Sequence, residues 1–199
     1  MGRRIVVLLA GLVVLAGCSR SAPAAYTSGA GAIRFTGAGF DLHAAGPVGR
    51  AESDLTWAGV LDTLNRYLDA GVLTPLRSGG PAGDLAPLFT GPAAARVTAV
   101  TPDRFAFIDE NLPPVTDVRS RKAVATLTAL AGPDSAMSVV TADLDLHLTG
   151  WVGSSALTVD RTGELVLVPE GSTWRIDAYD LQVTRTLDGA TTTTAAASR

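Results

Sequence analysis

The spacing of apolar residues changes once along this 199-residue chain, from a helical half to a half made of strands. In the first half, apolar side chains recur at steps of three and four residues, the period of an amphipathic helix. This stripe consists of Trp57, Val60, Leu61, Leu64, Leu68, Val72 and Leu76. It predicts a helix of about 20 residues that starts at a capping Ser53 and ends at Pro75 and Gly79-Gly80.

Short helices and then strands are predicted after this first helix. Capping Asp or Thr residues, two of them followed by proline, predict short helices at about residues 84–89, 91–97 and 102–109. After Pro113-Pro114, alternation of apolar and polar residues predicts strands at about 117–130, 140–148, 156–168 and 174–187. Gly163 is expected to form a bulge or kink. Helices followed by antiparallel strands indicate an α+β domain.

The N-terminal segment has the three-part layout of a secretory signal, with Arg3-Arg4 before an apolar run and small residues after it. The residues that follow the run, Leu15-Ala16-Gly17-Cys18, resemble the lipobox of bacterial lipoproteins. The resemblance implies cleavage between Gly17 and Cys18 and a diacylglycerol on the Cys18 thiol. Since two or three acyl chains anchor a protein durably, we expect the mature chain at the extracytoplasmic face of the cell membrane.

Charge and cysteine content narrow the function classes. Removal of residues 1–17 changes the formal net charge from −3 to −5, since two arginines and no acid leave with the signal. A mildly acidic domain disfavours nucleic acid as a partner. Cys18 is the only cysteine, so its lipidation excludes disulfides, a cysteine-ligated metal and cysteine catalysis.

Two regions outside residues 53–187 have a composition that is poor for a core. Residues 18–52 are rich in Ala, Gly and Ser and are predicted to be a tether followed by a partly ordered arm. The stretch 33–42 contains apolar residues, and three structures are possible for it: an edge strand, a hairpin or a mobile arm. The Thr/Ala-rich residues 188–199 are predicted to be a disordered tail.

The order of elements over residues 53–187 resembles the NTF2-like, cystatin-like superfamily. The resemblance depends on Trp57 at the helix start, the turn 170–172, and Trp174-Arg175-Ile176 at the start of the last strand. It implies a long N-terminal helix and short helices packed on a curved antiparallel sheet, the NTF2-like cone. The chain also resembles exported lipoproteins of actinobacteria that carry such a domain. The superfamily includes isomerases, dehydratases, SnoaL-type cyclases and non-catalytic binding domains, so the fold alone does not choose a function.

Two groups of polar residues are candidates for chemistry. Asp143, Asp145 and His147 share one face of a strand, where they could hold a metal or transfer protons. Because the alternate residues already supply the core, we expect this face to be solvated, without a metal, and to find cross-strand partners in Arg175 and Asp177.

Asp109 and Glu110 form the second group. They follow the third short helix, and enzymes of the resembled fold use a buried acid as a base in the pocket between helices and sheet. An acid at the end of a helix is more often solvated than buried in a pocket. We therefore expect Asp109 and Glu110 to be solvated.

Aromatic residues are the candidates to line a ligand pocket. Trp57, Tyr67 and Tyr179 fit this role, although packing in the core explains their spacing equally well. The chain has two histidines, of which His43 falls in the arm, and it contains no phosphate-loop, Gly-x-Ser-x-Gly or His-Glu-x-x-His motif. No catalytic set and no cofactor site is therefore predicted.

The sequence favours a membrane-anchored cell-envelope lipoprotein whose domain is a non-catalytic binding or scaffold module. Its partner is expected to be an envelope protein or an apolar small molecule. One alternative is a small-molecule enzyme of the SnoaL or ketosteroid-isomerase type, which needs a carboxylate or a Tyr–Asp pair inside a pocket. The other is a carrier of an apolar or lipid ligand, which needs a deep cavity.

The lipid anchor makes the first testable prediction. Replacing Cys18 with Ala removes the acceptor thiol, so the protein is expected to lose its lipid and leave the membrane fraction. Cell fractionation and mobility on SDS gels measure both effects. An unchanged membrane fraction together with unchanged mobility contradicts the lipoprotein interpretation.

Overall fold

Six strands form one mixed sheet whose order in space follows their order along the chain. The computed structural model describes residues 33–198. The strands are β1 (Thr36–Ala44), β2 (Thr116–Ala131), β3 (Met137–Val152), β4 (Ser155–Glu170), β5 (Thr173–Leu187) and β6 (Ala190–Ser198). β1 lies parallel to β2, and the four following pairs are antiparallel. With the helices that lie between β1 and β2 in the chain, this sheet confirms the α+β class.

The first helical stretch follows β1 and runs from Arg50 to Ser78. It consists of α1 (Arg50–Tyr67), a π-helical segment (Leu68–Leu73) and α2 (Thr74–Ser78). Gly79 ends it in the left-handed conformation, at φ +63°, which glycine adopts without a steric penalty. The expectation that this helix opens the domain is wrong, because β1 precedes it.

Two details of the predicted helix ends are also wrong. The N-cap is Gly49, and the Ser53 hydroxyl, inside the helix, donates to the Gly49 carbonyl at 3.4 Å. Pro75 does not end the helical stretch because it lies in the first turn of α2, where a missing N–H is tolerated. Among the described residues, no helix combines the length and apolarity needed to cross a membrane.

The short helices form close to their predicted places. They are a 3₁₀ turn (Ala86–Leu88), α3 (Gly91–Thr98) and α4 (Pro102–Phe107). The Asp84 carboxylate accepts the Ala86 N–H at 3.0 Å, as expected of a cap. α4 has a proline in its first turn and Thr101 as its N-cap, with the Thr101 hydroxyl accepting from the Arg104 N–H at 3.4 Å.

The core lies between these helices and one face of the sheet. Leu144 and Leu146 on β3 and Ile176 on β5 are buried together with Leu64 and Leu68 of the helical stretch. Leu61 is only partly buried against the same cluster. The predicted stripe and the predicted sheet face therefore meet as expected.

The opposite face of β3 is the more solvated one. Asp143 is exposed, and Asp145 and His147 are partly exposed. The predicted partners Arg175 and Asp177 are wrong, because β3 lies between β2 and β4 and does not touch β5. Asp145 pairs instead with Lys122 of β2, and His147 Nδ1 lies 2.5 Å from an Asp160 carboxylate oxygen of β4.

Residues 33–42, for which the sequence allows an edge strand, a hairpin or a mobile arm, lead into the edge strand β1 and form most of it. The Asn65 side chain fastens this segment to α1, since its carbonyl oxygen accepts the Phe35 N–H at 2.8 Å. The Phe40 and Trp57 rings pack edge to face with their centroids 5.7 Å apart. Gly37 lies so close to the Trp57 ring that a Cβ there would be 1.8 Å from a ring carbon. The compact unit therefore begins at Ile33 and not at residue 53.

The prediction that residues 188–199 are a disordered tail is wrong for the part that forms β6. Residues 190–198 pair with β5 along their whole length. Ala196 and Ser198 are buried, and the Ser198 hydroxyl accepts the Tyr179 N–H at 3.0 Å. The backbone ladder holds this edge strand and β-branched threonines favour it, so few large apolar residues are needed.

Of the two features expected at Gly163, a bulge or a kink, the structure shows no bulge. The pairing of Gly163 with Leu144 on β3 and Leu181 on β5 continues the register without a shift. The residue is nevertheless special, because its φ is +141° and a Cβ would lie 2.1 Å from the Asp180 carbonyl oxygen. The register shift between β4 and β5 occurs instead between Val166 and Leu167.

The packing of α1 predicts that replacing two leucines of the same helix has very different effects on stability. Leu64 is fully buried, whereas Leu55 is 70% exposed. Leu64→Ala is expected to lower the free energy of unfolding by about 2–5 kcal/mol, because it leaves a cavity in the core. Leu55→Ala is the matched control and is expected to change it by less than about 0.5 kcal/mol. Urea unfolding measures both, and equal effects contradict the assigned stripe.

Candidate functional site

Two arginines occupy core-facing positions of the sheet. Arg161 on β4 shares a face of the strand with the buried residues Leu157, Val159 and Leu165, and only 1% of its own surface is exposed. Arg185 on β5 follows Leu181 and Val183 in the same alternation. Because Arg161 pairs with Val183 and Arg185 pairs with Val159, the two arginines are diagonal neighbours on one face.

Asp109 lies between these two arginines. One of its carboxylate oxygens accepts from Nη2 of Arg161, and the other accepts from Nε of Arg185 at 2.6 Å. The Asp109 side chain has no exposed surface. The expectation that Asp109 is solvated is therefore wrong: the residue lies at a helix end, but that end is packed against the sheet.

The same guanidinium groups cap the C-terminal end of α4. Nη1 of Arg161 donates to the Ala106 carbonyl, and Nη2 of Arg185 donates to the Phe105 carbonyl at 2.9 Å. Carbonyl groups in the last turn of a helix lack partners within the helix. A positive charge at this end is also favourable. The arginines therefore fix the position of α4 on the sheet.

Tyr67 connects α1 to this Arg161–Asp109–Arg185 cluster. Nη1 of Arg161 donates to the Tyr67 hydroxyl oxygen at 2.9 Å. Burial raises the pKa of the Tyr67 phenol, and the neighbouring Arg161 charge opposes this only in part. Burial by itself lowers the pKa of Arg161, but the charge of Asp109 and the hydrogen bonds outweigh it, so the net direction is upward. A guanidinium group carries a positive charge in proteins, and the single carboxylate of Asp109 can neutralise only one of the two.

Glu110 differs from its neighbour. Its two carboxylate oxygens accept from Nε and Nη2 of Arg104, each at 2.7 Å. These hydrogen bonds lower the pKa of Glu110. The side chain is 17% exposed, so the expectation of a solvated acid holds only in part.

An open-sided cleft of about 460 Å³ lies beside the cluster. It is lined by Pro102, Phe105, Ile108, Asp109, Asn111, Leu112, Arg185, Thr192 and Thr194. The walls therefore come from α4, the loop after it, β5 and β6. The Arg185 side chain is 12% exposed, whereas that of Asp109 has no exposed surface. Arg185 is thus the charged group that a molecule in the cleft meets.

The three aromatic candidates do not line this cleft. Tyr67 is fully buried, and Tyr179 is 2% exposed. The Tyr179 hydroxyl donates to Asp103 at 2.7 Å, and burial, together with Asp103, raises its pKa to about 12. Trp57 packs on Phe40. The structure thus supports the core-packing explanation for all three.

Arg161 and Arg185 are the residues that sequence reasoning missed. The signal was present, because each arginine takes a place that period two reserves for an apolar side chain. A charged residue in such a place needs a buried partner. The partner, Asp109, is 52 positions before Arg161 and 76 before Arg185, which local patterns do not connect.

The chain matches no protein-family model, no curated protein and no solved structure. Within residues 33–198, no group of three or more His, Cys, Asp and Glu side chains is placed to hold a metal ion. Cys18 and the rest of the lipobox lie outside the described residues, so lipidation stays a prediction.

The buried cluster predicts unequal effects of removing two adjacent negative charges. Asp109→Asn leaves two guanidinium groups facing each other without a counter-charge, so we expect a loss of about 3–5 kcal/mol in the free energy of unfolding. Glu110→Gln is the matched control and is expected to cost about 1 kcal/mol or less, because its ion pair is partly exposed. Chemical denaturation of both variants measures the difference, and a similar small loss for each argues against a buried triad.

Proposed function

We propose that this chain is a cell-envelope lipoprotein, anchored through Cys18, whose domain is a non-catalytic module that binds a small molecule. The lipobox residues 15–18 support the anchor. Helices on one face of a sheet with antiparallel strands of 15 or 16 residues support a relation to the NTF2-like superfamily. The observation that carries the binding role is the cleft beside Arg185.

The cleft has the properties of a ligand site. Its volume of about 460 Å³ falls within the roughly 300–1,000 Å³ usual for such sites. Most of the wall surface is apolar, with Pro102, Phe105, Ile108 and Leu112 among the lining residues, and Asn111, Arg185 and the two threonines of β6 provide polar groups. A mostly apolar wall with a few placed polar groups is the usual composition of a small-molecule site.

The state of Asp109 argues against the isomerase alternative. A general base must come within about 2.6–3.2 Å of the proton that it removes. Both oxygens of Asp109 already accept hydrogen bonds from arginines, and its side chain has no exposed surface. A substrate would have to displace a buried ion pair to reach either oxygen. The acid therefore serves better as a structural counter-charge than as a base.

Native mass spectrometry of the full lipidated chain in detergent tests the binding role. Chain purified from its own membranes is expected to carry a small-molecule adduct that unfolding releases. Thr194→Trp places an indole in the cleft and is expected to remove the adduct. Thr193→Trp is the matched control, because Thr193 lies on the opposite face of β6, where its hydroxyl contacts that of Thr184 at 3.4 Å.

Two outcomes contradict the proposed binding role. One is a wild-type chain that carries no adduct. The other is an adduct that Thr194→Trp and Thr193→Trp retain equally, which would place the bound molecule outside the cleft.

A further inference from the structure

Arg185 joins a buried charge cluster to the cleft. Its Nε donates to Asp109 at 2.6 Å, and its Nη2 donates to the carbonyls of Phe105 and Ile108 at 2.9 and 3.4 Å. Within residues 33–198, its Nη1 makes no hydrogen bond. One nitrogen of a partly exposed guanidinium thus remains able to donate to a molecule in the cleft.

The charges within the Arg161–Asp109–Arg185 cluster do not balance. Arg161 and Arg185 carry two positive charges, and Asp109 supplies one negative charge. Of the other carboxylates near α4, Glu110 pairs with Arg104. Asp103 accepts from the hydroxyl of Tyr179, a neutral group, and among the described residues it forms no salt bridge with Arg161 or Arg185. Removing charge from water without a counter-charge is unfavourable. A single negative charge on a bound molecule would complete the neutralisation.

The rest of the wall determines what kind of anion fits. Pro102, Phe105, Ile108 and Leu112 present apolar surface, which favours a hydrocarbon body. The lining threonines Thr192 and Thr194 add neutral hydroxyl groups. One unbalanced positive charge and one free guanidinium nitrogen suit a carboxylate better than a dianionic phosphate ester.

We propose that the cleft binds an amphiphilic monocarboxylate, with its carboxylate on Nη1 of Arg185 and its hydrocarbon chain along α4. This proposal depends on the binding role proposed above and names the ligand class of that same cleft. Arg185 then serves two purposes, because it holds α4 through Asp109 and selects a negatively charged head group.

Octanoate and octan-1-ol are matched probes, since they share the hydrocarbon chain and differ in charge. The full lipidated chain is placed in nanodiscs, and binding is followed by NMR of ¹³C at carbon 1 of each probe, with empty nanodiscs as the blank. We expect octanoate to bind at least about tenfold more tightly than octan-1-ol, because a hydrogen bond to a charged group is the stronger kind.

Variants test the role of Arg185. Arg185→Gln is expected to weaken octanoate at least about tenfold and to abolish the preference for octanoate over octan-1-ol. Arg175→Gln is the matched control on the same strand, because Arg175 pairs with Glu170 and does not line the cleft. Thr194→Trp is expected to block both probes. If circular dichroism shows that Arg185→Gln is unfolded, the difference between the two probes on the wild-type chain decides.

The possible failures are distinguishable. Equal binding of both probes, blocked by Thr194→Trp, overturns the carboxylate proposal and leaves the binding module intact. Binding of neither probe by a chain that carries a native adduct also overturns only the ligand class. Binding of neither probe by a chain without an adduct overturns both proposals.

Discussion

The shared carboxylate of Asp109 is the interaction on which the arrangement of helices over the sheet depends. Two guanidinium groups from adjacent strands meet it, and they also donate to the carbonyls at the end of α4. Burying three charges carries a large desolvation penalty, which only well-formed hydrogen bonds offset. The position of α4 is therefore narrowly determined, and with it one wall of the cleft.

Aromatic side chains surround the fully buried side of this cluster, at Tyr67 and Arg161. The Phe107 ring packs edge to face on Tyr67, Phe89 and Tyr179, with centroids 5.5, 5.1 and 4.8 Å away. Excluding water lowers the local dielectric constant, and this strengthens the hydrogen bonds within the cluster. It also makes the loss of any one partner more damaging. Apolar packing and ion pairing thus support each other at the junction of α1, α4 and the sheet.

The sequence predicts the parts of this fold whose side chains repeat regularly. The leucines of β3 and of α1 reveal both sides of the core through their spacing alone. β1 and β6 are different, because backbone hydrogen bonds and a few small contacts hold them. The low content of large apolar residues in β1 and β6 therefore leads to a wrong prediction at both edges of the sheet. The charge cluster could not be predicted for another reason. Its acid and its arginines come from separate parts of the chain, which local sequence patterns do not connect.

Sequence distance within the sheet has a consequence for the order of folding. β2 to β6 are joined by short turns, so each strand meets a neighbour that is close in the chain. β1 is the exception, because Thr36 pairs with Val124 across the whole helical half. Closing so long a loop carries a larger entropic cost and slows contact formation. We therefore expect the meander to pair first and β1 to dock on it afterwards.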